Sequence, residues 1–116
     1  MRFLLLICVD ESVQLSTEKR AAIGPATEAW VTEMDGRGVR LLGNQLRPVA
    51  EARSVRVRDG DLLVADGPFA ETKEHIAGLD LLECASLEEA VEVASRHPVA
   101  RFGTVEVRAF WEDDEG

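Results

Sequence analysis

The stretch Asp66-Gly67-Pro68-Phe69-Ala70-Glu71-Thr72-Lys73-Glu74 gathers an acid, a ring, a hydroxyl and a lysine into one short polar segment. A carboxylate at a strand end beside an apolar ring is open to a shifted pKa, so Asp66 is a candidate catalytic acid or base, or a ligand-orienting group. The alternative is a turn residue bonding backbone N–H groups across Gly67-Pro68. Gly67 and Pro68 give a tight bend that fixes where Asp66 and Phe69 point. Phe69 either floors a pocket or anchors the core. Glu71, Thr72, Lys73 and Glu74 are donors and acceptors that would hold a small polar or anionic molecule if they converged. Spread over a solvated turn they would only form surface ion pairs, and Lys73 would be an ordinary exposed lysine.

A second set of candidates lies further along. Glu71 and His75 would share a face if the segment were a helical turn, which is half of a metal site at most. No complete metal set, nucleophile elbow or phosphate loop is present, so neither a metal nor a cofactor is expected. His97, just before Pro98, reads as a helix-end residue meeting free carbonyls. Asp80 interrupts an otherwise apolar strand: it sits at an edge, or it lines a pocket or interface with Arg108 as partner. Glu106 and Arg108 alternate onto one face of the last strand, where they can pair across the sheet or a dimer axis. Cys8 and Cys84 stand far apart without CxxC spacing, as buried free thiols do, which fits a reducing, cytoplasmic location.

These residues need elements to carry them. The 116 residues are enough for one core, and 46% hydrophobic with 30% charged residues is a globular composition. A net charge of -9 argues against nucleic acid and against an anionic membrane surface. The N-terminal apolar run is too short to span a bilayer. Phe3 to Val9 reads as a strand buried on both faces. Ile23, Ala26, Trp30 and Met34 follow at helical spacing, and Gly24-Pro25 suggests a separate turn near Ser16-Thr17 with the main helix starting around Pro25. Val39 to Leu42 is a second strand that gives way at Gly43 to an irregular connection.

Asp59-Gly60 is a two-residue hairpin turn between Ser54–Arg58 and Asp61–Ala65, putting Val57 opposite Leu62, Val55 opposite Val64 and Arg56 opposite Leu63. Ile76 to Cys84 is a strand. Ser86-Leu87-Glu88-Glu89 is a capping box, and Leu87, Ala90, Val91 and Ala94 form the expected buried stripe of a helix that Pro98 ends. Gly103 to Phe110 alternates as a last strand. The expected organisation is a single domain over 1–111 with an acidic tail at 112–116. Two β-α-β halves make it an α+β, ferredoxin-like antiparallel sheet with helices on one face. The other face, partly apolar, calls for a second subunit or a ligand, so a homodimer is expected.

The motif Asp66-Gly67-Pro68-Phe69 with Ala70 to Glu74, together with Val55 to Gly60 and Arg101 to Arg108, resembles the YCII-related proteins, in the branch named for its Asp-Gly-Pro-Phe motif. The resemblance covers nearly the whole chain. It implies a dimeric α/β barrel with a cleft near the motif, and in some members companionship with an extracytoplasmic-function sigma factor. It carries over to Asp66 through Phe69, Glu71 through Glu74, Glu106 and Arg108. A histidine and aspartate pair proposed in YCII-type relatives has its histidine on the first helix, where this chain has Thr27 and Glu28. That pair does not carry over.

Overall fold

The N-terminal apolar run forms β1 (Arg2–Asp10), followed by α1 (Thr17–Gly36), β2 (Arg40–Gln45), β3 (Arg53–Arg58), β4 (Asp61–Asp66), β5 (Glu74–Glu83), α2 (Leu87–Ser95) and β6 (Thr104–Ala109). A computed structural model describes residues 1–10, 12–68 and 74–112. Four strands pair antiparallel in the order β2-β5-β1-β6, while β3 and β4 pair only with each other. This is an α+β fold of ferredoxin-like plan with a hairpin inserted between β2 and β5. Among the described residues no helix is long and apolar enough to cross a membrane.

Side-chain alternation in β1 decides where the core lies. Phe3, Leu5 and Ile7 point toward the helices and meet Trp30 and Met34 of α1 and Ala90, Val93 and Ala94 of α2. Leu4, Leu6 and Cys8 point the other way and are only half-buried. The run was expected to be buried on both faces. It is continuous in hydrophobicity, yet only one face of the sheet carries helices. Phe3, Leu5, Met34, Leu82 and Val93 are shut off from water, each such side chain being worth about 1.5–3 kcal/mol. Trp30 Nε1–H donates to the Val93 carbonyl at 3.0 Å, tying α1 to α2.

Two helical details depart from expectation. α1 is continuous from Thr17, capped by the Ser16 hydroxyl, and Pro25 lies inside it rather than at its start. The half of the helix around Pro25 is largely exposed, so water can take the carbonyl that the missing N–H leaves free. In α2 the buried residues are Ala90, Val93 and Ala94, whereas Leu87 and Val91 are exposed. Both stripes obey helical spacing; the contact with Trp30 selects the one containing Val93. The cap of α2 is real: Ser86 Oγ accepts from Glu89 N–H at 3.1 Å. The Glu89 carboxylate reaches one residue further back than a capping box requires, accepting from Ala85 N–H at 2.9 Å. Ser86→Ala should therefore cost about 1 kcal/mol, read as a lower urea midpoint at unchanged slope.

The hairpin has the anticipated register, with Val55 opposite Val64, Val57 opposite Leu62 and Arg56 opposite Leu63. Positive φ at Asp59 (51°) and Gly60 (82°) makes the tight turn that matches the twist of the strands. At its base Gly67 N–H donates to the Ala52 carbonyl at 2.8 Å, and Ser54 Oγ donates to the Gly67 carbonyl at 2.9 Å. Every residue of β4 is exposed.

Candidate functional site

The face of the sheet away from the helices is built from three rows of paired residues. Leu42, Leu81, Leu4 and Arg108 form one; Asn44, Leu79, Leu6 and Glu106 form the next. A register shift after Ile7 brings Ile76, Cys8 and Thr104 into the third. Beyond it, Asp10 pairs with Glu74 at the mouth of the segment running from 66 to 74. One end of the face is thus leucine-rich and the other polar.

At the polar end Thr104 Oγ1 donates to the Glu74 carboxylate at 3.3 Å, and Ser12 N–H and Oγ–H donate to Asp10 Oδ1 at 2.8 and 2.6 Å. Burial pushes the Cys8 thiol up, and the charges of Glu106 and Glu74 raise it further. Cys8 is therefore a neutral thiol at pH 7 and a poor nucleophile. Its neighbours can accept hydrogen bonds from a hydroxylated molecule lying on the leucines. Among the described residues no cluster of His, Cys, Asp and Glu is arranged to hold a metal.

The residues singled out from sequence are divided by the fold. Phe69, Glu71, Thr72 and Lys73 lie outside the described residues. Glu106 and Arg108 share the open face and approach each other at 3.9 Å. Asp66 stands at the base of the hairpin, largely exposed, with Arg53 Nε 3.2 Å from its carboxylate. His75 pairs in register with Val9, which packs on the core, so it projects to the helix side from a strand that begins at Glu74, while Glu71, its suggested companion, lies outside the described residues.

Asp80 is also on the helix side, and its partner is Arg40 rather than Arg108. Arg40 Nε donates to Asp80 Oδ1 at 2.8 Å, Nη2 donates to the Gly43 carbonyl at 2.9 Å, and Nη1 reaches Asp35 at 3.3 Å. Alternation along β5 puts Asp80 on the side of Leu82, opposite to Arg108, which excludes the expected pairing. Burial pushes the Asp80 carboxyl above its ordinary range, and the Arg40 hydrogen bond draws it back. His97 is likewise buried. Its Nδ1 accepts from Val99 N–H at 3.1 Å, capping the turn after α2 instead of meeting the carbonyls of the helix. Burial lowers it to about 4, so the imidazole is neutral.

The sequence reading assigns Asp10, Asn44 and Thr104 to no site and takes Cys8 only as a buried thiol. The even-numbered members of β1 carried the signal for two of them, since Leu4, Leu6, Cys8 and Asp10 must share a face in any strand. A half-open groove of about 300 Å³ on the helix side, lined by Leu15, Ile23, Phe102 and the cations Lys19 and Arg101 among others, was also unforeseen.

Comparison with known proteins agrees with this architecture. The profile of the YCII-related domain matches residues 1–112. An uncharacterised protein of Rhizobium meliloti is 41% identical, over 59% of this chain and 67% of its own. The 5-chloro-2-hydroxyhydroquinone dehydrochlorinase of Burkholderia phenoliruptrix, solved with 2,5-dihydroxybenzoquinone, superposes with a TM-score of 0.55 at 14% identity, covering 98% of this chain and 97% of the other. That likeness is one of fold.

Proposed function

The chain belongs to the YCII-related family, and we propose that, as a member of the branch marked by Asp66-Gly67-Pro68-Phe69, it is a homodimeric small-molecule-binding protein. Its ligand lies on the open sheet face, in a polar cleft bordered by the segment from Asp66 to Glu74. The observation that carries this reading is the composition of that face: leucines from three strands meeting Cys8, Glu74, Thr104 and Glu106 at one end. An apolar bed with a few convergent polar groups is what a small ligand requires. The groove beside α1 offers apolar walls with the cations Lys19 and Arg101, and its described lining residues include no carboxylate or hydroxyl side chain. A second copy covering this open face would complete the dimeric α/β barrel.

Support of a weaker kind comes from the fold relative, which holds a dihydroxylated quinone. Oxygen-bearing rings of that class suit the acceptors here, with Arg108 on the same face available to an anionic oxygen. Free Cys8 and Cys84 fit a reducing compartment such as the cytoplasm. The neutral Cys8 thiol argues against covalent catalysis, so the reading is binding, with Asp66 as the acid to test for proton transfer.

A thermal-shift screen of hydroxylated and anionic aromatic compounds, 2,5-dihydroxybenzoquinone among them, tests this. A ligand present at a hundred times its Kd should stabilise the fold by about 2.7 kcal/mol, a rise of several degrees in Tm. Glu106→Gln, Asp66→Asn and Lys73→Ala should weaken that response. If no compound stabilises the wild type, or all three variants respond as it does, the cleft is not a binding site.

A further inference from the structure

Val55, Val57, Leu62 and Val64 form one face of the hairpin and are 62, 59, 68 and 56% exposed. A two-stranded hairpin with so little support from its own chain is marginal in water, and a contiguous apolar face of this kind marks an interaction surface. The whole molecule is shaped accordingly. Its extents are 48 × 47 × 18 Å and its radius of gyration is 16.3 Å, where about 13 Å is usual for this length.

The same chain exposes a second apolar surface, the open sheet face, whose outer members Leu42 and Ile76 are 55 and 47% exposed. We propose that each hairpin is a clasp that seats its Val55, Val57, Leu62 and Val64 face on the open sheet face of a second copy of this chain. The clasp rests on the dimer reading above and adds to it how the cleft is closed. Both halves of the contact are present on one sequence, which is the condition for a self-complementary two-fold interface. The surface area agrees. The chain exposes 8334 Å², whereas a compact monomer of 12.7 kDa exposes roughly 6,200 Å². The surplus, roughly 2,000 Å², is of the size that each partner of an obligate homodimer buries. Closing the clasp would also shield the ligand from water, so the partner copy completes the site.

Light scattering coupled to size exclusion reads the outcome, with wild type compared with Val57→Lys/Leu62→Lys. Both positions are exposed within one chain, so the lysines leave the subunit fold intact by circular dichroism. The wild type should be a dimer and the variant a monomer, with dissociation at least 100-fold easier. A monomeric wild type overturns the dimer reading and the clasp together. A variant that dimerises like wild type overturns the clasp alone. Placement on the sheet is read by mixing Leu62→Cys with Leu42→Cys, both in a Cys8→Ser, Cys84→Ala background, and adding a short bismaleimide. A covalent dimer should form in the mixture only. Cross-linking of Leu62→Cys with itself, or none in the mixture, rejects the placement.

Discussion

Asp80→Ala should destabilise the subunit by about 3–5 kcal/mol, because it leaves the Arg40 guanidinium charged and largely buried without its principal counter-ion. The side chains of the pair are only 13 and 9% exposed. Arg40 keeps the Gly43 carbonyl and the exposed Asp35 as partners, but neither replaces a carboxylate at 2.8 Å. Removing both members by Arg40→Met with Asp80→Ala should cost less than the sum of the single changes, since no charge is then stranded. Urea titrations of the three variants measure this. An Asp80→Ala cost under 1 kcal/mol would mean that water reaches Arg40 and that the pair is ornamental.

Stability should also fall in mild acid, and His97 sets the window. Its folded value is about 4 against an ordinary 6.5, so between those pH values the unfolded chain binds a proton that the folded chain refuses. The stability contributed by keeping the ring neutral is complete above pH 6.5 and is lost as pH falls toward 4. The slope is about 1.4 kcal/mol per pH unit, about 3 kcal/mol in all. Asp80, raised by burial, acts with the opposite sign at the acid end, because its folded form takes up a proton more readily. His97→Asn separates the two. Asparagine can still accept from Val99 N–H, while the edge contact with Trp30 at 4.7 Å is lost. The variant should be less stable at pH 7 by about 1–2 kcal/mol and nearly flat from pH 7 to 5. An equally steep variant would assign the acid sensitivity to other groups.

Periodicity and turn chemistry make most of the architecture legible in the sequence. Asp59-Gly60 fixed a hairpin to the residue, because positive φ at both positions leaves few alternatives. Ser86 marked the start of α2 for an equally local reason. What failed was what depends on distant partners. The stripe containing Leu87 and Val91 and the one containing Val93 are equally good patterns, and only the position of Trp30 chooses between them. Gly24-Pro25 reads as an interruption when it is weighed locally, yet an exposed helical half-turn tolerates the missing N–H.

The candidate site was legible in the same uneven way. Glu106 and Arg108 were correctly placed together because a strand enforces alternation. Asp80 was recognised as an acid in need of a cation, but the choice of Arg108 over Arg40 required knowing which face of β5 the helices cover. No local property of Asp80 carries that information. Asp10 and Cys8 reach Glu74 and Thr104 only through pairing of β1 with both β5 and β6, which joins the beginning of the chain to residues near its end.

The absence of a side chain at Gly43 has a consequence for how positions 43 and 80 constrain each other. A Cβ there would collide with the Asp80 carboxylate, and the Leu79 carbonyl oxygen lies 2.7 Å from the same point. Shrinking residue 80 would leave the backbone obstruction in place, so the glycine is demanded by the close approach of β2 to β5 whatever stands at 80. The acid, by contrast, fits only because nothing projects from 43. The dependence therefore runs in one direction: the buried ion pair requires a glycine at 43, whereas the glycine would be required with any residue at 80.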